Sequence, residues 1–292
     1  PHSYRWLSAR RVVNELKELS SRYGVRSIFF YDDYFFANKP RIVEMMDLLE
    51  QEKLDLKFEV SCRIDFLYKQ SQEFINRMHK VGFRELLMGL ESGSPRVLKM
   101  IKKDFTVEQI IEANRKLARA GIATKCSFMA GFPGETREDA LQTVELMLRL
   151  RTENPYASIT PLSIYTPYPG TEIYEQCVKE FGMTFPDTLE GWARYDWHNN
   201  NNDFLPPEQY KLITRLNMMS RFFDEKAFER FGSRRFKWFV MNFYKLYNSI
   251  VKLRLRYKYF GFMPEVRMLN FMQSLYVRMA HQQQLAKASK EG

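Results

Sequence analysis

Three times in the first 130 residues a helix-like amphipathic stretch ends at a glycine, an apolar residue follows, and a short β-rich run begins. Tyr23-Gly24-Val25 leads into residues 27–31, Val81-Gly82-Phe83 into 85–89, and Ala120-Gly121-Ile122 into 124–129. Glycine accepts the left-handed conformation that ends a helix, and the next apolar residue packs back on the last turn. The repeated device therefore marks joints between a helix and a following strand. With two further strand-like runs, it predicts strands over 27–31, 57–62, 85–90, 124–130 and 158–165. Their starts are roughly 30 to 40 residues apart with a helix between each pair, the rhythm of parallel βαβ units. Right-handed crossovers then leave a doubly wound sheet or a barrel.

Helix starts carry their own marks. Thr106 with Gln109 is the pattern of a capping box, Thr136 with Asp139 a close variant, and Ser94-Pro95 sets a capping hydroxyl before a proline at the first helical position. Asn38 precedes a helix around Pro40 to Glu52, and the chain opens with a helix over about Ser8 to Arg22. A βα array begins with a strand, so a strand and its loop are expected before Pro1. Five strands also fall one or more short of a closed barrel.

Of 292 residues, 45% are hydrophobic, enough for a sizeable core. No run of 18 apolar residues suggests a spanning helix. The net charge of +10 is concentrated: ten basic residues and one acidic, Glu229, between Lys226 and Lys258 supply +9 of it. The rest is a nearly neutral body, which argues against nucleic acid as the partner. Cys62, Cys126 and Cys177 are 64 and 51 residues apart, a spacing that suits no metal site. They read as packing residues of a reducing, cytoplasmic compartment.

After Gly182 the character changes. Pro186, Pro206 and Pro207 bracket the asparagine run 199–202, which reads as loop, and the pattern beyond Pro207 is helical and aromatic. The expected division is 1–185 and 186–292. Phe236, Phe239, Val240, Phe243, Tyr247, Ile250 and Val251 make one helical stripe. It is a core-facing stripe with a solvated basic face, a surface helix that places 226–260 on the inner face of an anionic membrane, or, as a third option, a contact with nucleic acid.

Sites in α/β sheets and barrels form at the carboxyl ends of the strands. The residues that follow the predicted strands there are Asp32-Asp33, Arg63-Ile64-Asp65, Glu91-Ser92-Gly93, Gly131-Phe132-Pro133-Gly134-Glu135 and Tyr165-Thr166-Pro167. Charged, polar and glycine residues thus gather on one rim. The five strings FFYDDYFF, SCRID, GLESGS, MAGFPGET and YTPYPGT, in this order over about residues 5–180, resemble the radical S-adenosylmethionine (SAM) superfamily. The likeness is to its branch with cobalamin-binding, methylthiotransferase and Elongator-like members.

The resemblance implies a partial TIM-like (β/α) barrel followed by a mostly α-helical C-terminal region. It implies SAM, a [4Fe–4S] cluster whose cysteines would lie upstream of Pro1, an electron donor, and cobalamin on an upstream domain. By the same resemblance Asp32 and Asp33 meet the SAM amino group, Glu91 and Ser92 its ribose or carboxylate, and Arg63 its carboxylate. Gly131 and Gly134 lie beside the adenine, and Tyr165, Thr166 and Pro167 give it backbone contacts. The stretch 192–197 resembles a tryptophan-rich segment of cobalamin-linked members. The structural alternatives stay open: aspartates that cap turns, a Glu91–Arg63 pair, glycines that only turn the chain, and aromatic core packing at 192–197. The expected function is radical chemistry, methyl transfer or carbon-skeleton rearrangement, on a small-molecule or lipid-like substrate. A tRNA-modifying enzyme and a non-catalytic, ligand-binding degenerate barrel are the alternatives.

Overall fold

The computed structural model describes residues 5–193, 204–224, 234–261, 263 and 264. The asparagine run 199–202, the segment 226–233, Trp197 and the C-terminal tail lie outside the described residues, as do the side chains of Phe236, Phe239, Val240 and Phe243. The chain divides into two compact units, Pro1–Asn248 and Ser249–Gly292. In the second, the Arg254 guanidinium lies over the Tyr259 ring, 5.8 Å from its centroid. The first carries the sheet and the cleft.

Helix α1 (Ala9–Tyr23) leads into strand β1 (Ser27–Phe30), then α2 (Lys39–Glu52) into β2 (Lys57–Ser61). Two helices, α3 (Ile64–Tyr68) and α4 (Gln72–Lys80), precede β3 (Phe83–Glu91), and two more, α5 (Pro95–Met100) and α6 (Val107–Ala120), precede β4 (Ala123–Ala130). Helix α7 (Arg137–Glu153) is followed by β5 (Ala157–Ile159) and β6 (Ser163–Ile164), then by α8 (Glu172–Phe181), α9 (Leu189–Trp192), α10 (Pro207–Ser220) and α11 (Arg234–Arg256). Every pairing is parallel, in the order β1-β2-β3-β4-β5, with β6 also on β4. This is the partial barrel expected. Glycines 24 and 121 end α1 and α6 at φ 66° and 71°. Both capping boxes form, and Asn38, Ser94 and Thr171 each cap a helix.

Two expectations need correction. The run 158–165 is one predicted strand but two observed ones, because Pro161 has no N–H to donate to β4. The break is stitched from outside the sheet. Ser220 Oγ of α10 accepts from Leu162 N at 2.7 Å, and Asn217 Nδ2 donates to Leu162 O at 2.5 Å. One helix per crossover was too few for the second connection, where α3 adds a short turn at the strand exit, whereas the third carries both helices, α5 and α6, whose starts are marked by Ser94-Pro95 and Thr106.

Fully covered parallel strands are apolar on both faces. Here β4 alternates instead, and register carries the alternation across the sheet. Phe58, Val60, Leu86, Met88, Thr124, Cys126, Ala157 and Ile159 are all buried on the outer, helix-covered face. Glu59, Ser61, Glu85, Leu87, Gly89, Lys125, Ser127 and Ser158 share the inner face and keep contact with solvent. Lys125 therefore faces inward and Cys126 outward. In α11, Tyr247 is 2% exposed, with its ring 4.3 Å from that of Phe222. At this point the aromatic stripe is packing. No helix among the described residues is long and apolar enough to cross a membrane.

Candidate functional site

The inner face opens into a cleft of about 330 Å³ at the carboxyl ends of the strands. Asp33 from the β1 exit, Ser61, Arg63, Gly89, Lys103, Lys125, Ser127 and Thr160 line it. Each side chain arrives by a local device. Arg63 N-caps α3 without a side-chain hydrogen bond and reaches Asp65, Nε to Oδ1, at 3.0 Å. That pair raises the guanidinium pKa further, and Tyr34 offers its ring 5.6 Å away. Arg63 thus pairs with Asp65, and the Arg63–Glu91 pair left open by the sequence does not form.

Glu91 instead takes Lys103, Nζ to Oε1, at 3.2 Å. Its backbone is left-handed, φ 64°, at the point where β3 shifts register against β4. A non-glycine residue held there costs of order 1–3 kcal/mol and persists only where its surroundings enforce it. The turn brings the carboxylate back beside Gly89, where a Cβ would approach Oε1 to 2.6 Å. Lys103 Nζ also reaches Gly89 O at 3.3 Å, which fixes the ammonium at the mouth of β3.

Ser92 is fully buried and turned to α7, its Oγ 2.9 Å from Thr143 Oγ1 and accepting from Ser94 N at 3.1 Å. Gly93 follows, and a Cβ there would come within 2.5 Å of Gln142 O. Ser94 Oγ donates to Asp139 at 2.5 Å, and Arg96 adds an ion pair to the same carboxylate and a 2.8 Å bond to Gly134 O. Burial works to raise the Asp139 pKa, but the hydrogen bonds from Arg96, Ser94 and Thr136 prevail and hold it well below the usual carboxylate range. GLESGS and GFPGET are thereby tied together through one carboxylate.

Gly131 (φ 90°) and Gly134 (φ 73°) turn the β4 exit. Their loop is closed by Glu135, which the sequence did not single out. Its Oε2 accepts from Gly131 N and, at 3.1 Å, from Phe132 N, while Oε1 is buried without a hydrogen-bond partner. Burial prevails over those bonds and pushes its carboxyl up to about 7. Tyr165 donates its backbone N–H to Ala130 O at 2.8 Å and lays its ring 4.6 Å from Phe132, so the last loop lies on the fourth. Burial raises the Tyr165 phenol. Thr166 is half-buried and Pro167 buried in the same turn.

Of the residues expected at the rim, Asp33 and Arg63 line the cleft and Glu91 borders it through Lys103. Asp32 is exposed in the same turn and lends its charge to Arg41. Gly131, Gly134 and Tyr165 to Pro167 shape the neighbouring loops. Lys103, Ser127 and Thr160 went unread. For Ser127 the signal was its spacing of two from Lys125, which puts both on one face.

The cleft carries both charge signs and open volume, which suits a zwitterionic α-amino acid group with a nucleoside attached. Aspartate acceptors fit its ammonium, and lysine or arginine fits its carboxylate. Among the described residues an iron–sulfur cluster has no such seat. The three cysteines are buried and unpaired, and burial pushes Cys126 up to about 12 and Cys62 well above its ordinary value. A cluster needs thiolates, and among the described residues no group of three metal-ligating side chains exists.

A relative in Pyrococcus horikoshii, an uncharacterised methyltransferase, is 35% identical over 175 residues, 60% of this chain and 36% of its own length. The anaerobic magnesium-protoporphyrin IX monomethyl ester cyclase of Cereibacter sphaeroides is 25% identical over 233 residues, 77% of this chain and 35% of its own. The chain thus spans about a third of the curated relatives it matches. The cobalamin-dependent SAM radical enzyme OxsB shares the fold, with a TM-score of 0.65 at 17% identity over 96% of this chain and 46% of that one. Residues 1–147, half of the chain, match the Radical SAM superfamily as a family, and with the parallel partial barrel and its rim the chain belongs to that superfamily.

Proposed function

We propose that this chain is the SAM-binding barrel of a larger, cobalamin-associated radical SAM enzyme that acts on a small molecule. The observation that carries the reading is the polar inner face. A barrel interior that only packs is filled with branched apolar side chains, whereas this one presents Asp33, Arg63, Lys103, Lys125 and Ser127 to a cleft. Asp33, with Asp32 beside it, would accept the SAM ammonium. Lys103 and Arg63 would take the carboxylate. Glu91 and Ser92 would shape the ribose side, and the loops at Gly131, Gly134 and Tyr165 to Pro167 would bed the adenine. Cobalamin is supported by the fold shared with the cobalamin-dependent enzyme OxsB. An electron donor is the partner such chemistry needs.

S-Adenosylhomocysteine, which keeps the amino acid and nucleoside, tests the site without any cluster. Calorimetry on the 292-residue chain should show saturable binding. Asp33→Asn and Lys103→Met should each weaken it about tenfold, the loss of one charge-assisted contact. If the wild type binds none, or neither variant differs from it, the rim is not the SAM site.

A further inference from the structure

Lys125 is out of place for a strand residue. It is the third residue of β4, a strand paired on both sides, and it is exposed into the cleft. The other two cations of the cleft are engaged, Arg63 by Asp65 and Lys103 by Glu91. Among the described residues Lys125 has no carboxylate within ion-pair distance and no hydrogen bond, although Cα partners Leu87 and Ser158 flank it directly. Lysine is a poor strand former, and here it neither packs nor pairs.

Depth separates it from the rim. Glu91 leaves β3 level with Phe128 of β4. Lys125 lies three residues below, about 10 Å of strand at the usual rise. A ligand whose amino acid part is held at the rim by Asp33 and Lys103 leaves this inner end of the cleft free. Ser61 and Ser127 add hydroxyls to the same cleft. An ammonium and hydroxyls lining one cleft are a donor set for an oxyanion.

We propose that Lys125 is a substrate-binding residue that receives an anionic group, a carboxylate or a phosphate, so that the enzyme acts on an acidic small molecule. This rests on the reading of the rim as the SAM site. The cation then selects substrates by charge and sets how far they enter the barrel.

Benzoate and phenyl phosphate share an apolar body and differ only in the anion, so they serve as probes. Each is titrated into the full chain by calorimetry, with and without saturating S-adenosylhomocysteine. At least one should bind saturably in both conditions, and which one distinguishes carboxylate from phosphate. Lys125→Met should weaken that probe about tenfold, and Lys125→Arg should restore it, since a charge-assisted contact is removed and then replaced. S-Adenosylhomocysteine affinity should change less than about twofold in Lys125→Met, well below the tenfold of a lost contact. No saturable binding of either probe, or equal binding by Lys125→Met, overturns the proposal. Equal loss of probe and S-adenosylhomocysteine also overturns it, because Lys125 would then belong to the SAM carboxylate. Failure of S-adenosylhomocysteine to bind the wild type sinks the rim reading alone, and the Lys125 dependence measured without it still decides this one.

Discussion

Glu135 shows how one side chain sets the shape of a loop and makes it sensitive to pH. It is 3% exposed, and its two backbone donors, Gly131 and Phe132, hold the left-handed glycine turn at the end of β4. Burial nevertheless leaves its carboxyl at about 7, against an ordinary 4.5. A carboxyl whose pKa is raised by folding stabilises the fold fully below the ordinary value, and that contribution is lost as pH rises through the folded value. At about 1.4 kcal/mol for each pH unit of difference, the loss between pH 4.5 and 7 is roughly 3 kcal/mol. Glu135→Gln removes the titration while its amide oxygen can still accept the two N–H groups. Urea unfolding from pH 5 to 8 should therefore show a decline in wild-type stability that is shallower in the variant. Parallel curves would mean that Glu135 does not titrate in this window. Asp139, held ionised by Arg96, Ser94 and Thr136, has the opposite sense: its contribution is fully present above the ordinary carboxylate range and is lost only at acid pH, so it is constant from pH 5 to 8 and does not blur the comparison.

At the scale of elements, α10 is what holds the far side of the sheet together. Its Ser220 and Asn217 satisfy the backbone of Leu162, a fully buried residue in the gap between β5 and β6. Leu205 and Ile213 fill the space beside Gly131, 3.2 and 3.5 Å from where a Cβ would stand. A buried N–H left without a partner costs roughly 1–3 kcal/mol. Ser220→Ala should lower unfolding free energy by about that amount, a fall of several degrees in Tm for a unit of this size. The half-buried control Thr214→Ala, whose hydroxyl returns to Tyr210 O in its own helix, should be near neutral. A neutral Ser220→Ala would show that water replaces the hydroxyl. Little of this arrangement could be read in advance. Glycine joints and capping hydroxyls act within a few residues, so α1 and α6, the strands they precede and the start of α7 stand where the sequence puts them, to within two residues. The bond from Ser220 to Leu162 spans 58 residues and leaves no local pattern. The same holds for Lys103 and Glu91. A lysine after α5 has many possible partners until the left-handed turn at Glu91 brings the carboxylate back to it. Lys125 is an intermediate case: alternation along β4 said that Lys125 and Cys126 face opposite ways, but only the neighbouring strands decide which side is covered.

For the whole molecule, the question is what this chain does unaided. The barrel supplies a cleft, charges of both signs and four bound loops. Among the described residues it supplies no cluster seat. Cys62 and Cys126 are buried in separate strands' surroundings, Cys177 lies in α8, and burial raises all three thiols. A thiolate is the form that binds iron, and each of these would have to be ionised against burial and then brought to two others from elsewhere in the fold. Binding and cleavage of SAM should therefore separate in this chain. After anaerobic treatment with iron, sulfide and reductant, S-adenosylhomocysteine should still bind, Asp33→Asn should still bind it about tenfold less well, as for a lost charge-assisted contact, and 5′-deoxyadenosine should stay at the level of a control without protein. Visible absorption should show no stable cluster. Cys62→Ala, Cys126→Ala and Cys177→Ala should leave both results unchanged. If the chain instead accumulates 5′-deoxyadenosine in proportion to its concentration, and one of those substitutions abolishes it, then a buried cysteine does reach iron and the separation of SAM binding from SAM cleavage in this chain is wrong.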